Sequence, residues 1–325
     1  YYNISLEESV PIGTLSFLSN TLPVKQPLSP PYKRISFLSE RIAVRERQRI
    51  DIAGSKALKF MYRGKLGRLF LFLFTSRFMT KLSGFYANSA FSKRKIASFI
   101  NNNDIDMDDY KKAAASGFSS FNDFFTRKVD EGKRPLDADR DALISPADSR
   151  LSIYKIDETL RFTIKGDDFS FKDFLAGDEI AEAFTDGFLF IFRLCVDDYH
   201  RYIFIDDGMR RYSRHIRGRF HTVRHIALKD DYFKENEREY SVLATDRFKE
   251  MIQAEIGAMM VGKIVNHGVT SFKRGDEKGM FMFGASTVVL AFKKDTVKPD
   301  DEILKNTNEG YETRVRLGEK VGVAI

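Results

Sequence analysis

A single cysteine, Cys195, occurs in 325 residues, which excludes an intrachain disulfide and any cysteine-rich zinc site. It lies in the apolar run FLFIFRLCV and reads as a small buried hydrophobe. Long hydrophobic runs are missing as well. The apolar core of RLFLFLFTSRF, Arg68 to Phe78, falls far short of the roughly 20 residues that cross a bilayer. No secretory signal is visible, and the chain opens on Tyr1 rather than Met, which leaves its native start open. There is no internal repeat, no nucleic-acid recognition motif and no G-x-S-x-G hydrolase signature. Asp and Glu are absent from Ile52 to Asn103, although that window holds ten lysines and arginines.

What is present describes a globular chain. Hydrophobic residues make up 43% and charged residues 30%, with a net charge of +7, so neither a disordered nor a polytopic membrane protein is indicated. Five of the eight prolines (Pro11, Pro23, Pro27, Pro30 and Pro31) fall in residues 1–45, which read as an extended arm or linker. Residues 46–135 show helical spacing, with one helix in SKRKIASFINNN and a second starting at Asp106 or Asp108 and ending at Gly117. After Pro135 short runs such as RFTIK, FLFIFRL, YIFID and STVVLAF alternate with Gly, Asp and Asn. They predict a β-rich domain over 136–325 with eight to ten strands. The fold class is therefore α+β: a basic helical region packed on a β-rich body of mixed or antiparallel sheets. KDTVKPDDEILKNTNEG reads as an exposed polar connection.

The basic window admits three readings. Apolar bulk flanked by Lys and Arg suits the headgroup region of an anionic membrane, with Arg68, Leu69, Phe70, Leu71, Phe72 and Arg77 as contacts. A core helix with a solvated basic rim and a nucleic-acid surface are the other two.

Four clusters could carry chemistry. FNDFFTRKVDEGKRP, Phe121 to Pro135, is dense in aromatic and basic residues, and a helix end with core phenylalanines explains it equally well. SPADS, Ser145 to Ser149, puts Asp148 on a tight turn, where a solvated aspartate is the ordinary case. DDYHRY, Asp197 to Tyr202, brings His200 to the start of a strand. FMFGASTVVLAF, Phe281 to Phe292, reads as a buried strand interrupted by Gly284, Ala285, Ser286 and Thr287. Together they supply a nucleophile, a base and a carboxylate on different loops.

The order FNDFFTRK, RP, SPAD, DDYHRY and a Gly-small-Ser-Thr strand followed by VVLAF resembles the phosphatidylserine decarboxylase family from about Arg47 to the C-terminus. The resemblance implies a proenzyme that cuts itself between Ala285 and Ser286 into a large chain (1–285) and a small chain (286–325). Ser286 then becomes a covalent pyruvoyl group, which forms an imine with the amine of phosphatidylserine and releases CO2 to give phosphatidylethanolamine. No pyridoxal phosphate and no metal are expected. His200 matches the first histidine of a Tyr-His-x-x-His motif and is assigned proton transfer; Asp148 is assigned to holding a histidine. Gly284 and Thr287 are expected to support the cleavage site.

Three positions depart from the family pattern. Ile203 stands where many members have the second histidine, and His221 or His225 is expected to compensate. Ala285 replaces glycine before the serine; if that residue needs a positive φ, alanine costs about 1 kcal/mol. Ser149 stands where glycine is common. A two-tailed lipid substrate also turns the basic window toward peripheral attachment to an anionic membrane, at the cytoplasmic face of a bacterial inner membrane or on an organellar one. A homodimer is left open and no nucleic-acid partner is expected. A pyruvoyl decarboxylase of another amino-phospholipid or amino acid, and a lipid-binding homologue that never matures, are the alternatives.

Overall fold

The structure, a computed structural model, describes residues 45–49, 77–164, 167–218, 236–257, 263–284 and 286–325. All lie in one compact unit, Val44–Ile325. Arg68 to Phe72, Ala285, His221 and His225 fall outside the described residues, as does all of the expected arm but Arg45.

A nine-stranded sheet forms the frame. Its order is Arg47–Arg49, Tyr311–Val315, Ser149–Lys155, Phe188–Leu194, Ser286–Phe292, Lys249–Gly257, Arg238–Thr245, Gly208–Ile216 and Ser271–Phe272. Every strand pairing among the described residues is antiparallel. Ser286–Phe292 is the middle strand, and all seven of its residues are buried. Covered on both faces, it reads as a continuous apolar run and not as an alternating one. Val288, Leu290 and Phe292 join one core with Leu151, Phe190 and Phe192. Val289 and Ala291 join the opposite core with Leu189, Ile252 and Ala254. Each such Val, Leu or Phe contributes roughly 1.5–3 kcal/mol by leaving water.

Sixteen strands occur among the described residues of 136–325, well above the expected eight to ten. The excess consists of short strands in small sheets. One joins Ile264–Asn266, Glu277–Phe281 and Arg201–Ile203; another joins Val297–Pro299, Lys320–Ala324 and Ala142–Ile144. Glu277–Phe281 is tied to the main sheet by a buried ion pair, Lys278 Nζ to Glu255 Oε2 at 2.7 Å. The region read as an exposed polar connection contains a helix, Asp301–Asn308. Asp300 caps it, accepting from the backbone N–H groups of Glu302 and Ile303, and Ile303 is buried.

The helical region comprises Arg77–Asn88, Ile96–Asn102, Lys111–Ser116 and Phe121–Phe125, with short 3-10 turns between. Gly117 ends the third with φ +70, in the left-handed region that glycine adopts at no steric cost. Ile105, Phe121, Phe124 and Phe125 form a core of their own, onto which Phe99, Phe118 and Phe283 pack. Phe283 belongs to the segment just before Ser286, so the helices rest directly on the approach to the serine.

Candidate active site

FMFGASTVVLAF is not one strand. The strand Glu277–Phe281 ends inside a three-stranded sheet, and a new strand of the main sheet begins at Ser286. Gly284, between them, has φ +142, backbone that a side chain would strain. Phe283 anchors the turn: its backbone N–H donates to Asn122 Oδ1 at 2.9 Å, and its ring meets Phe121 edge-on at 4.9 Å and Phe125 at 5.3 Å. Neither Asn122 nor Phe283 stood out in the sequence, although both lie in clusters already noticed there.

Ser286 lies between Leu194 and Gly257 in the sheet register. It is wholly buried and shares a face with Val288, Leu290 and Phe292. Gly257 opposite carries no side chain. Thr287 points to the other face and is also buried, so it serves the sheet and lies away from the hydroxyl.

His200 comes to the serine from the adjoining small sheet. Its Nδ1 is 3.4 Å from Ser286 Oγ, a long contact, and the ring is wholly buried. The Phe125 ring stacks on it with centroids 4.0 Å apart. The His200 carbonyl accepts from Phe281 N–H at 2.9 Å, joining the histidine to the strand that leads toward Ser286. Burial pushes the imidazole down to about 3, and the nearby Arg127 charge adds to this. His200 is therefore neutral at physiological pH. Its Nε2 is buried with no hydrogen-bond partner.

Asp148 does not hold His200. Arg134 takes its carboxylate with Nε at 2.9 Å from Oδ1 and Nη2 at 2.7 Å from Oδ2, and Leu317 N–H donates to Oδ1 at 2.9 Å. Arg134 and the Leu317 N–H are thus its partners among the described residues. The RP and SPAD motifs thus meet each other, and both meet the backbone of the small C-terminal segment. Asp148 also lines a cavity of about 110 Å3 with Tyr110, Asp109, Arg134, Asp197 and Asp198. Ser286 and His200 do not line it.

Ile203 is buried in the apolar core. Its backbone N–H donates to the Pro146 carbonyl at 3.0 Å, so the strand after His200 is fixed against the SPAD turn. Cys195, Asp197 and Asp198 bring one ligand atom each within 4.8 Å of one another. Arg150 already neutralises both aspartates, bonding Asp198 closely and Asp197 at 3.3 Å, and Arg193 reaches the Cys195 sulfur. An ion-pair network accounts for this group. Burial raises the Cys195 thiol, so it is not an activated nucleophile.

Residues 121–323 match the family model described as phosphatidylserine decarboxylase. The chain is 47% identical over 267 residues to phosphatidylserine decarboxylase proenzyme 2 of Clostridium acetobutylicum, covering 82% of this chain and 91% of the relative. It is 40% identical over 277 residues to the proenzyme of Clostridium botulinum, covering 83% and 94%. The proenzyme of Clostridium perfringens is likewise 40% identical, over 278 residues, covering 84% and 94%. With matches of this extent, the chain belongs to the phosphatidylserine decarboxylase family.

Proposed function

We propose that the chain is a self-processing decarboxylase that converts phosphatidylserine to phosphatidylethanolamine. The observation that carries the reading is the buried pair of Ser286 Oγ and His200 Nδ1, 3.4 Å apart, at the start of the central strand. Neutral His200 accepts the hydroxyl proton, and Ser286 Oγ attacks the carbonyl carbon of residue 285, exchanging the peptide for an ester. Elimination then leaves a carboxylate on residue 285 and dehydroalanine at 286, which hydrolyses to pyruvoyl with loss of ammonia. Nδ1 of His200, the ring atom that faces position 286, is placed to hold a proton beside the carbonyl group formed there. That group, once formed, bonds the substrate amine and supplies the electron sink for CO2 loss. Neither pyridoxal phosphate nor a metal is called on.

The remaining residues act by placement. Gly284 permits the bend before the scissile bond. Asp148 is a positioning residue, holding Arg134 and the backbone at Leu317. Thr287 supports the strand. His221 and His225 remain proposed further bases in place of the histidine missing at Ile203. Large and small chains, 1–285 and 286–325, stay together as one protein.

Peripheral attachment to an anionic membrane, at the cytoplasmic face of a bacterial inner membrane, completes the reading. No helix among the described residues is long and apolar enough to cross a bilayer. The helix that opens at Arg77 instead exposes Leu82, Phe85 and Tyr86 on one face, with Phe91 just beyond. Lys81, Lys93, Arg94 and Lys95 are their neighbours in sequence, with no acid in between. Exposed apolar side chains on a basic segment suit an anionic interface.

The decisive experiment is mass spectrometry of the purified chain after denaturation. A small fragment starting at position 286 with a pyruvoyl mass is expected, and Ser286→Ala should stay full length. A wild-type chain that remains whole under all conditions would overturn the enzyme reading in favour of a lipid-binding homologue.

A further inference from the structure

Arg127 belongs to FNDFFTRK, the motif to which sequence reading gave no chemical role. It follows Phe121–Phe125 and is only 3% exposed. Its Nη1 donates to the Phe124 carbonyl at 3.3 Å, and its guanidinium lies over the rings of Tyr110, at 4.2 Å, and Phe124, at 4.7 Å. Nε and Nη2 are buried with no hydrogen-bond partner, and no carboxylate among the described residues pairs with it. Other buried arginines differ: Arg134 pairs with Asp148 and Asp109, Arg150 with Asp198, and Arg193 with Glu312. A buried cation with two free donors is costly, and cation–π contact offsets only part of that cost.

Its surroundings lead to the serine. Phe125, two residues earlier, stacks on His200. Arg201, the residue after His200, donates from Nε to the Thr126 carbonyl at 2.8 Å. Tyr110, under the guanidinium, meets Tyr199, the residue before His200, with centroids 6.2 Å apart.

We propose that Arg127 is a substrate-binding residue whose free Nε and Nη2 donors take the phosphodiester of the phospholipid headgroup. This rests on the decarboxylase reading above. The substrate offers two anions, and they behave differently in the reaction. The carboxylate loses its charge as CO2 departs, so a guanidinium bound to it would stabilise the ground state and slow the chemistry. The phosphodiester keeps its charge throughout. Pairing there binds substrate and transition state alike, which lowers KM and leaves kcat unchanged. The planar fork of arginine suits phosphate oxygens.

The test uses the matured wild type, Arg127→Gln and Arg127→Lys, assayed on phosphatidylserine in detergent micelles. Arg127→Gln should raise KM about 10- to 100-fold with kcat within about threefold, and Arg127→Lys should fall between. In the wild type, glycerophosphoethanolamine should inhibit at least about tenfold better than ethanolamine, which has the same amine without the phosphodiester. Arg127→Gln should erase that difference and leave inhibition by L-serine unchanged. If Arg127→Gln fails to mature, the inhibitor pair on the wild type and the Arg127→Lys kinetics decide. The inference is overturned if glycerophosphoethanolamine inhibits no better than ethanolamine. A kcat loss at unchanged KM, or weakened inhibition by serine alone, overturns it too. A wild type that matures and turns over lipid through any of these outcomes keeps the decarboxylase reading; one that never matures loses both.

Discussion

Ser286 Oγ and His200 Nδ1 face each other at 3.4 Å, and solvent reaches neither side chain. The histidine arrives on a three-stranded sheet and the serine starts a strand of the nine-stranded one. Removing the base while keeping the hydroxyl should therefore slow the first step without dismantling either sheet. His200→Gln should delay appearance of the small fragment by about 100-fold or more, as for loss of a positioned general base. Fragment formation followed by denaturing electrophoresis checks this. A wild-type rate in the variant would remove His200 from the cleavage step.

The same burial makes a prediction about pH. His200 is held at about 3 when folded, against roughly 6.5 when unfolded. Its folded value is depressed, so its contribution to stability is present above pH 6.5. That contribution drains away as pH falls toward 3, because the unfolded chain binds the proton first. The full loss is on the order of 5 kcal/mol. Denaturant midpoints between pH 7 and 4 should fall more steeply for the wild type than for His200→Gln. Parallel slopes would show that this histidine does not carry the acid sensitivity.

Gly284 makes a separate prediction. Its φ of +142 is accessible to glycine and strained for alanine. Gly284→Ala should cost about 1–3 kcal/mol in the bend before the serine and slow cleavage accordingly. The strands on either side are fixed by their own registers, so the fold should persist. Parallel measurement of cleavage rate and thermal midpoint separates the two effects; a variant that cleaves at the wild-type rate would mean the bend relaxes without penalty.

The sequence made the α+β class, the helix ending at Gly117 and the buried strand STVVLAF readable, because local periodicity and glycine signal these directly. It also brought out Ser286 and His200, through residues that sit awkwardly in a strand. The break in FMFGASTVVLAF was harder to read. Period and composition run on through Gly284, while the partners that divide it into two sheets, Arg201–Ile203 on one side and Phe188–Leu194 on the other, are distant in the chain. The arginine partner of Asp148 was not legible for a similar reason. The turn was evident, but which of many charged groups would meet it depended on Arg134 folding back across 14 residues. The helix after Asp300 did carry a local signal. An aspartate cap followed by Asp301 and Glu302 precedes Ile303, and the polar character of the stretch masked it.

Sheet topology also decides what becomes of the two chains. Ser286–Phe292 is hydrogen-bonded on both sides to the large chain, and Tyr311–Val315 and Lys320–Ala324 each pair with a further large-chain strand. Buried polar contacts reinforce this, from Arg193 to Glu312 and from Leu317 N–H to Asp148. Cleaved protein should therefore run as one particle in native size exclusion and separate only in denaturant. Loss of the small fragment in buffer alone would contradict the interleaved sheet.

The exposed aromatic face bears on how the enzyme meets its lipid. Phe85 is 77% exposed and Phe91 70%, an unfavourable display for large apolar side chains unless something covers them. If a membrane interface does so, Phe85→Ser with Phe91→Ser should weaken binding to vesicles containing anionic lipid by on the order of tenfold or more, since burying a phenylalanine is worth roughly 1.5–3 kcal/mol. Neither residue touches Ser286 or His200, so cleavage should proceed normally in the double variant. Raising salt should weaken the wild type as well, through Lys81, Lys93, Arg94 and Lys95, because exposed charges are screened within about 10 Å at 0.1 M. Co-sedimentation with vesicles reads both effects. Binding that survives the double substitution and high salt together would move the docking face elsewhere on the protein.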